Sequence, residues 1–112
     1  MSYKVEIKSS HLYINFGEDA YTPQDLEELK IILSKHNKRH IILNLLMVEE
    51  LNNINFLRNH QIEKLENDLS FIIIIRESLM TLFDEDMPLV PTLQEAIDFF
   101  NMDEMQRKLM TE

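Results

Sequence analysis

The 112-residue chain contains no cysteine and no tryptophan, a single glycine and three prolines. Without cysteine there is no disulfide framework, no thiolate nucleophile and no cysteine-bearing zinc site, which fits a reducing, cytoplasmic setting. One glycine cannot build a P-loop, a G-x-G-x-x-G turn or a G-x-S-x-G elbow, so those phosphate-cradling and nucleophile motifs are excluded. Long apolar runs are missing as well. The longest, Phe71 to Ile75, is far too short to cross a bilayer, and the opening MSYKVEIKSS has no apolar run behind its charges. Neither export nor membrane insertion is expected. Positive charge is scarce: eleven Lys and Arg stand against twenty Asp and Glu, giving −9. Such a field repels phosphate backbones, so nucleic acid is not an expected partner. Nine acidic and two basic residues lie between Glu77 and Glu112, so that last third alone carries −7.

What is present is a pattern of short strands and amphipathic helices. Tyr3, Val5 and Ile7 alternate with Lys4, Glu6 and Lys8, and Leu12-Tyr13-Ile14-Asn15-Phe16 alternates again after Ser9-Ser10; these are two paired strands. Gly17 ends the second of them where a positive φ costs least. Thr22, Pro23 and Asp25 form a helix start, with Thr22 as cap and Pro23 at the first helical position. Leu26, Leu29, Ile32 and Leu33 mark its apolar stripe, and Lys35, His36, Lys38, Arg39 and His40 gather at its C-terminal end, where the helix dipole favours cations.

Ile41 to Val48, interrupted by Asn44, is apolar enough to be a central strand covered on both faces. Asn52 is placed to cap a second helix whose buried side follows Ile54, Leu57, Gln61 or Ile62, and Leu65. Leu69 to Ile75 is a further buried strand. Glu77 to Phe83 makes a short helix, Asp84-Glu85-Asp86 a turn, and Met87 to Val90 a brief extended piece set by Pro88 and Pro91. Thr92 and Glu95 form a capping box that opens a helix through Phe100, which resumes or continues to Met110. The order β-β-α-β-α-β-α-β-α implies one α/β domain over residues 1–112, a mixed sheet of about four to five strands with helices packed against it.

Catalysis requires convergent groups, and the candidates are the carboxylates and His11, His36, His40 and His60. The i, i+4 spacing of His36 and His40 suits a metal, but Lys38 and Arg39 repel one, and solvated residues at a helix end is the simpler account. His60 is expected on a helix surface. The methionines at positions 47, 80, 87, 102, 105 and 110 are expected as core filler. Glu49-Glu50 and Asp84-Glu85-Asp86 lack the alternating glycine and carbonyl ligands of a calcium loop. No catalytic residue, metal site or cofactor is assigned.

The element order, the run Ile41-Ile42-Leu43-Asn44-Leu45-Leu46 and the ending Val90-Pro91-Thr92-Leu93-Gln94-Glu95-Ala96-Ile97 resemble a STAS domain, the anti-sigma-factor-antagonist module, over essentially the whole chain. In that family the central strand reads apolar-apolar-Asp-Leu, and a tetrad Asp-Ser-Ser/Thr-Gly opens the next helix eight residues after the Asp. Here Asn44 takes the Asp position and Asn52-Asn53-Ile54-Asn55 takes the tetrad. The resemblance implies a non-catalytic regulatory module that docks a protein partner, an anti-sigma-type kinase or another regulatory protein, at that loop. Ile54 has no hydroxyl, so the family's phosphoswitch is not expected to operate. The implied partner-binding residues are Asn52, Asn53, Ile54 and Asn55, with Tyr21 at the same end of the sheet as an aromatic hot spot. Ile54 serves there either as an apolar anchor or as a core residue. The helix bearing Met102, Met105 and Leu109 either closes the domain or offers its face to another chain, closure being the commoner outcome. An accessory or stabilising subunit of a larger enzyme or membrane complex is the alternative function.

Overall fold

Alternating apolar and charged residues make the first hairpin: β1 (Tyr3–Ile7) pairs antiparallel with β2 (His11–Phe16). The structure, a computed structural model, describes residues 3–17, 23–49, 51, 54–83 and 87–111, with the side chain of residue 111 excepted. The chain continues through α1 (Pro23–Lys35), β3 (His40–Asn44), α2 (Ile54–Glu66), β4 (Phe71–Ile74), α3 (Glu77–Met80), β5 (Leu89–Val90) and α4 (Leu93–Thr111). The sheet order is β1-β2-β3-β4-β5, with every pair after the first parallel. This is the α/β mixed sheet expected from the sequence.

Because β2, β3, β4 and β5 advance in one direction across the sheet, crossovers of constant hand place their helices on one face. That face buries Leu12, Ile14, Phe16, Ile41, Leu43, Phe71 and Ile73 beneath Leu26, Leu29 and Leu33 of α1 and Leu57 of α2. The opposite face, with Tyr13, Ile42, Ile72, Ile74 and Val90, is covered by α4 through Ala96 and Phe100. Strands covered on both sides need no alternation, which is why β3 and β4 are continuous apolar runs.

Local chemistry sets the element ends. The Glu95 N–H donates to Thr92 Oγ1 at 3.1 Å, the expected cap of α4, which runs as one unbroken helix. The end of α2 is a Schellman turn: the Leu69 N–H bonds the Lys64 carbonyl at 2.8 Å and the Asp68 N–H the Leu65 carbonyl at 3.1 Å. Asp68 provides the left-handed residue, φ 58°, where glycine is usual. Gly17 has no positive φ, so the conformational argument made for it does not hold. The strands are shorter than their apolar runs: β3 stops at Asn44 because Asn44 Oδ1 accepts the Leu46 N–H at 3.0 Å and turns the chain.

The inward stripe of α2 differs from expectation. Gln61 and Lys64 are buried, whereas Ile62 and Leu65 are exposed. Gln61 Nε2 donates to the Phe71 carbonyl on the side of β4 that the two-residue β5 leaves open. Lys64 Nζ donates to the carbonyls of His36, Asn37 and Arg39 at 3.3, 3.1 and 2.7 Å, closing the turn after α1.

Candidate functional site

The resemblance directs attention to the C-terminal ends of the parallel strands, where βα loops gather. Asn44, at the end of β3, donates through Nδ2 to the Tyr13 hydroxyl at 2.9 Å while its Oδ1 holds the following turn. Arg76, just beyond β4, donates through Nε to the Leu46 carbonyl at 3.0 Å. This end is therefore pinned by neutral amide and guanidinium contacts, and Asn44 acts there as a scaffold for the loop toward α2.

Of the residues assigned to partner binding, Tyr21, Asn52 and Asn53 lie outside the described residues, as does the Thr22 cap. Ile54 opens α2 half-buried and packs against the main core, and Asn55 beside it is exposed. The two placed residues of the loop therefore divide into one core contact and one free amide.

At the other end of the strands the structure gathers a polar cluster to which the sequence assigns no role. Ser70, buried at the start of β4, donates its hydroxyl to Asp103 Oδ2 at 2.8 Å and accepts from Arg107 Nη1 at 3.1 Å. Arg107 also pairs with Glu104, and Glu104 Oε1 lies 3.3 Å from His40 Nε2. The Ser70 N–H donates to His40 Nδ1 at 3.0 Å, so the neutral ring carries its proton on Nε2, toward Glu104. His40 is thus not a solvated residue at a helix end. It opens β3, its ring lies against Phe100 at 5.3 Å, and the turn after Lys35 separates it from His36, which removes the i, i+4 pair. His60 is likewise no surface residue, its ring standing between Phe56 and Phe71 at 5.8 and 5.2 Å. Arg39 donates to the carbonyls of Lys8 and His11 and so holds the first hairpin.

These groups do not form a nucleophile and base. The ring nitrogen of His40 nearest Ser70 is taken by the main-chain N–H, and the serine hydroxyl is spent on Asp103. The cluster is a latch between α4 and the N-terminal ends of β3 and β4. One sequence signal bears on it: the inward stripe begun by Ala96 and Phe100 continues at helical spacing into Asp103, Glu104 and Arg107. Among the described residues no group of three or more His, Asp or Glu could hold a metal ion, and no helix is long and apolar enough to cross a membrane.

Burial lowers the pKa of His11, His40 and His60, aided by Lys8 and Arg39 at His11, Arg107 at His40 and Lys64 at His60; Glu104 and Asp103 oppose it at His40 and Glu63 opposes it at His60. Each folded value lies below the ordinary imidazole value of about 6.5, so over that interval the unfolded chain binds more protons. Their contribution to stability is complete above about pH 6.5 and is lost as pH falls toward the folded values. The hydrogen bond from Arg107 lowers Glu104 and gives stability that persists above the ordinary carboxylate range and is lost as pH falls through the folded value. The urea midpoint is therefore expected to be lower at about pH 5.5 than at about pH 7.5, and His40→Gln to flatten that slope. An unchanged slope in the variant would remove His40 from the account. No family model matches this chain, and no curated protein matches it.

Proposed function

We propose that this chain is a non-catalytic protein-interaction module, similar in kind to an anti-sigma-factor antagonist and acting in the cytoplasm without the phosphoserine switch. The observation that carries this reading is the outer side of α4. Met102, Met105 and Leu109, at i, i+3 and i+7, are 62, 64 and 70% exposed and lie opposite the side that packs on the sheet. These methionines are not core filler; they form an apolar stripe on an acidic segment, the composition of a helix read by another chain's groove. The loop before α2, with exposed Asn55, supplies the second contact expected from the family resemblance, and the partner is a regulatory protein with a basic rim.

A pull-down from native lysate with three baits tests this: the wild type, Met105→Glu and Asn53→Arg. One partner held by the wild type and lost from both variants supports the reading, and equal recovery on all three overturns it. Release of that partner by salt fits a regulatory contact, whereas retention through a high-salt wash favours an accessory subunit of a larger complex. Phosphate found on residues 52–55 after incubation with a cognate kinase and ATP would contradict the phosphorylation-independent mode.

A further inference from the structure

The sheet has two edges, and they differ. At one, β5 is two residues long and Gln61 covers the adjoining carbonyl of β4. At the other, β1 is five residues long, contains neither proline nor glycine and, among the described residues, is paired with β2 on one side only. The Lys8 N–H donates to the His11 carbonyl at 2.9 Å, which fixes that pair as a hydrogen-bonded one. Such pairs alternate along an antiparallel ladder, so Glu6 and Lys4 spend their main-chain groups on β2. The main-chain groups of Tyr3, Val5 and Ile7 point outward. The side chains of the same three residues share the face of Phe16, Ile14 and Leu12, yet Val5 is 36% and Ile7 67% exposed, beyond the cover of the helices.

We propose that β1 is a self-recognition strand: a second copy of this chain pairs its own β1 antiparallel to it, about a twofold axis at Val5. In this register Val5 faces Val5, Tyr3 faces Ile7 and Lys4 faces Glu6 of the other copy. All the outward main-chain groups then fall in hydrogen-bonded pairs, while Lys4 and Glu6 fall in the closer pairs, where opposite charges attract most. Sliding two residues one way sets Lys4 against Lys4. Sliding two the other way sets Glu6 against Glu6 and Lys4 against Lys8. A slide of one residue turns the outward main-chain groups against inward ones. Charges on an edge strand ordinarily disfavour pairing, and here they disfavour the two in-phase registers next to this one; a twofold at Ile7 sets Glu6 against Lys8 but leaves Tyr3 unpaired. The exposed Val5 and Ile7 of both copies then join in one apolar strip. The −9 of each chain does not oppose this contact strongly, because its excess lies in the last third, and α4 makes most of its contacts with β4 and β5, away from β1.

The experiment is sedimentation equilibrium on the full chain over a wide concentration range, with circular dichroism verifying the fold of each variant. The wild type is expected to dimerise reversibly. Lys4→Glu and Glu6→Lys should each weaken self-association at least about tenfold, since both place like charges opposite one another twice. Mixing the two variants in equal amounts should restore a dimer, because all the facing charges are then opposite again. Val5→Pro removes an outward N–H that the monomer does not use, so it should keep the fold and abolish the dimer. A monomeric wild type at every concentration overturns the proposal, as does a dimer that survives Val5→Pro and both charge variants, or a mixture that fails to associate.

Discussion

Phe100→Ala is expected to destabilise the domain by about 3–5 kcal/mol, the ordinary cost of emptying a buried aromatic position. The value bears heavily on this fold because the second face of the sheet has so little cover. Ala96 and Phe100 are the α4 residues buried against Ile42, Ile72 and Ile74. The Phe100 ring also lies 5.1 Å from that of His11 and 5.3 Å from that of His40, so it joins β2, β3 and α4 at one point. Domains of this size are stable by about 5–15 kcal/mol in total, so the loss is a large fraction of the whole. Ala96 and the polar latch at Ser70 would then be left to hold α4. Urea titration should show the fall, and hydrogen exchange should show it concentrated in α4 and in the strand residues beneath. A drop of less than about 1 kcal/mol would mean that α4 is held elsewhere.

Lys64→Met is the second large effect, expected at about 3 kcal/mol, or a melting temperature lower by about 10 °C. Lys64 is 3% exposed, and its ammonium answers the carbonyls of His36, Asn37 and Arg39 in the turn after α1, where the His36 carbonyl also accepts the Arg39 N–H. Methionine keeps the stem and its packing and removes only the donor, so the loss measures unanswered carbonyls rather than a cavity. Burial lowers the Lys64 pKa, against a smaller opposing effect of Glu63. The carbonyl oxygens are what keep a cation tolerable there. Lys64→Arg should not rescue the loss, because a planar fork cannot address three carbonyls arranged around one point. Full stability in the methionine variant would show that the turn after α1 is held by other contacts.

Much of this architecture is written in local patterns. The order of the elements, the hairpin and the doubly covered strands follow from periodicity and from the cap at Thr92, because each rests on neighbours in sequence. The inner stripe of α2 was not legible for the opposite reason. Gln61 and Lys64 are buried to serve carbonyls at Phe71, His36, Asn37 and Arg39, and nothing near them in sequence signals that need. A periodicity count chose Ile62 and Leu65 because it weighs apolarity and cannot weigh a distant acceptor. The setting of His40 is hidden from the sequence in the same way, since its partners Ser70 and Glu104 come from β4 and α4. Methionine is ordinarily buried, but a helix with two apolar sides can bury only one of them, so Met102 and Met105 of α4 stay exposed. For the loop before α2, the sequence offers a resemblance to a family pattern, while the packing of Ile54 depends on the core below it.

The uneven cover of the two faces has a consequence in time. Ribosomes build β4 before α4, and thirty-seven residues separate Ile74 from Thr111. At about 5–20 residues per second this is a delay of about two to seven seconds between making Ile74 and completing α4, so α4 is the last cover to reach Ile42, Ile72 and Ile74. Until α4 docks, that apolar face is open to other chains, so the order of synthesis leaves the aggregation-prone surface to be covered last.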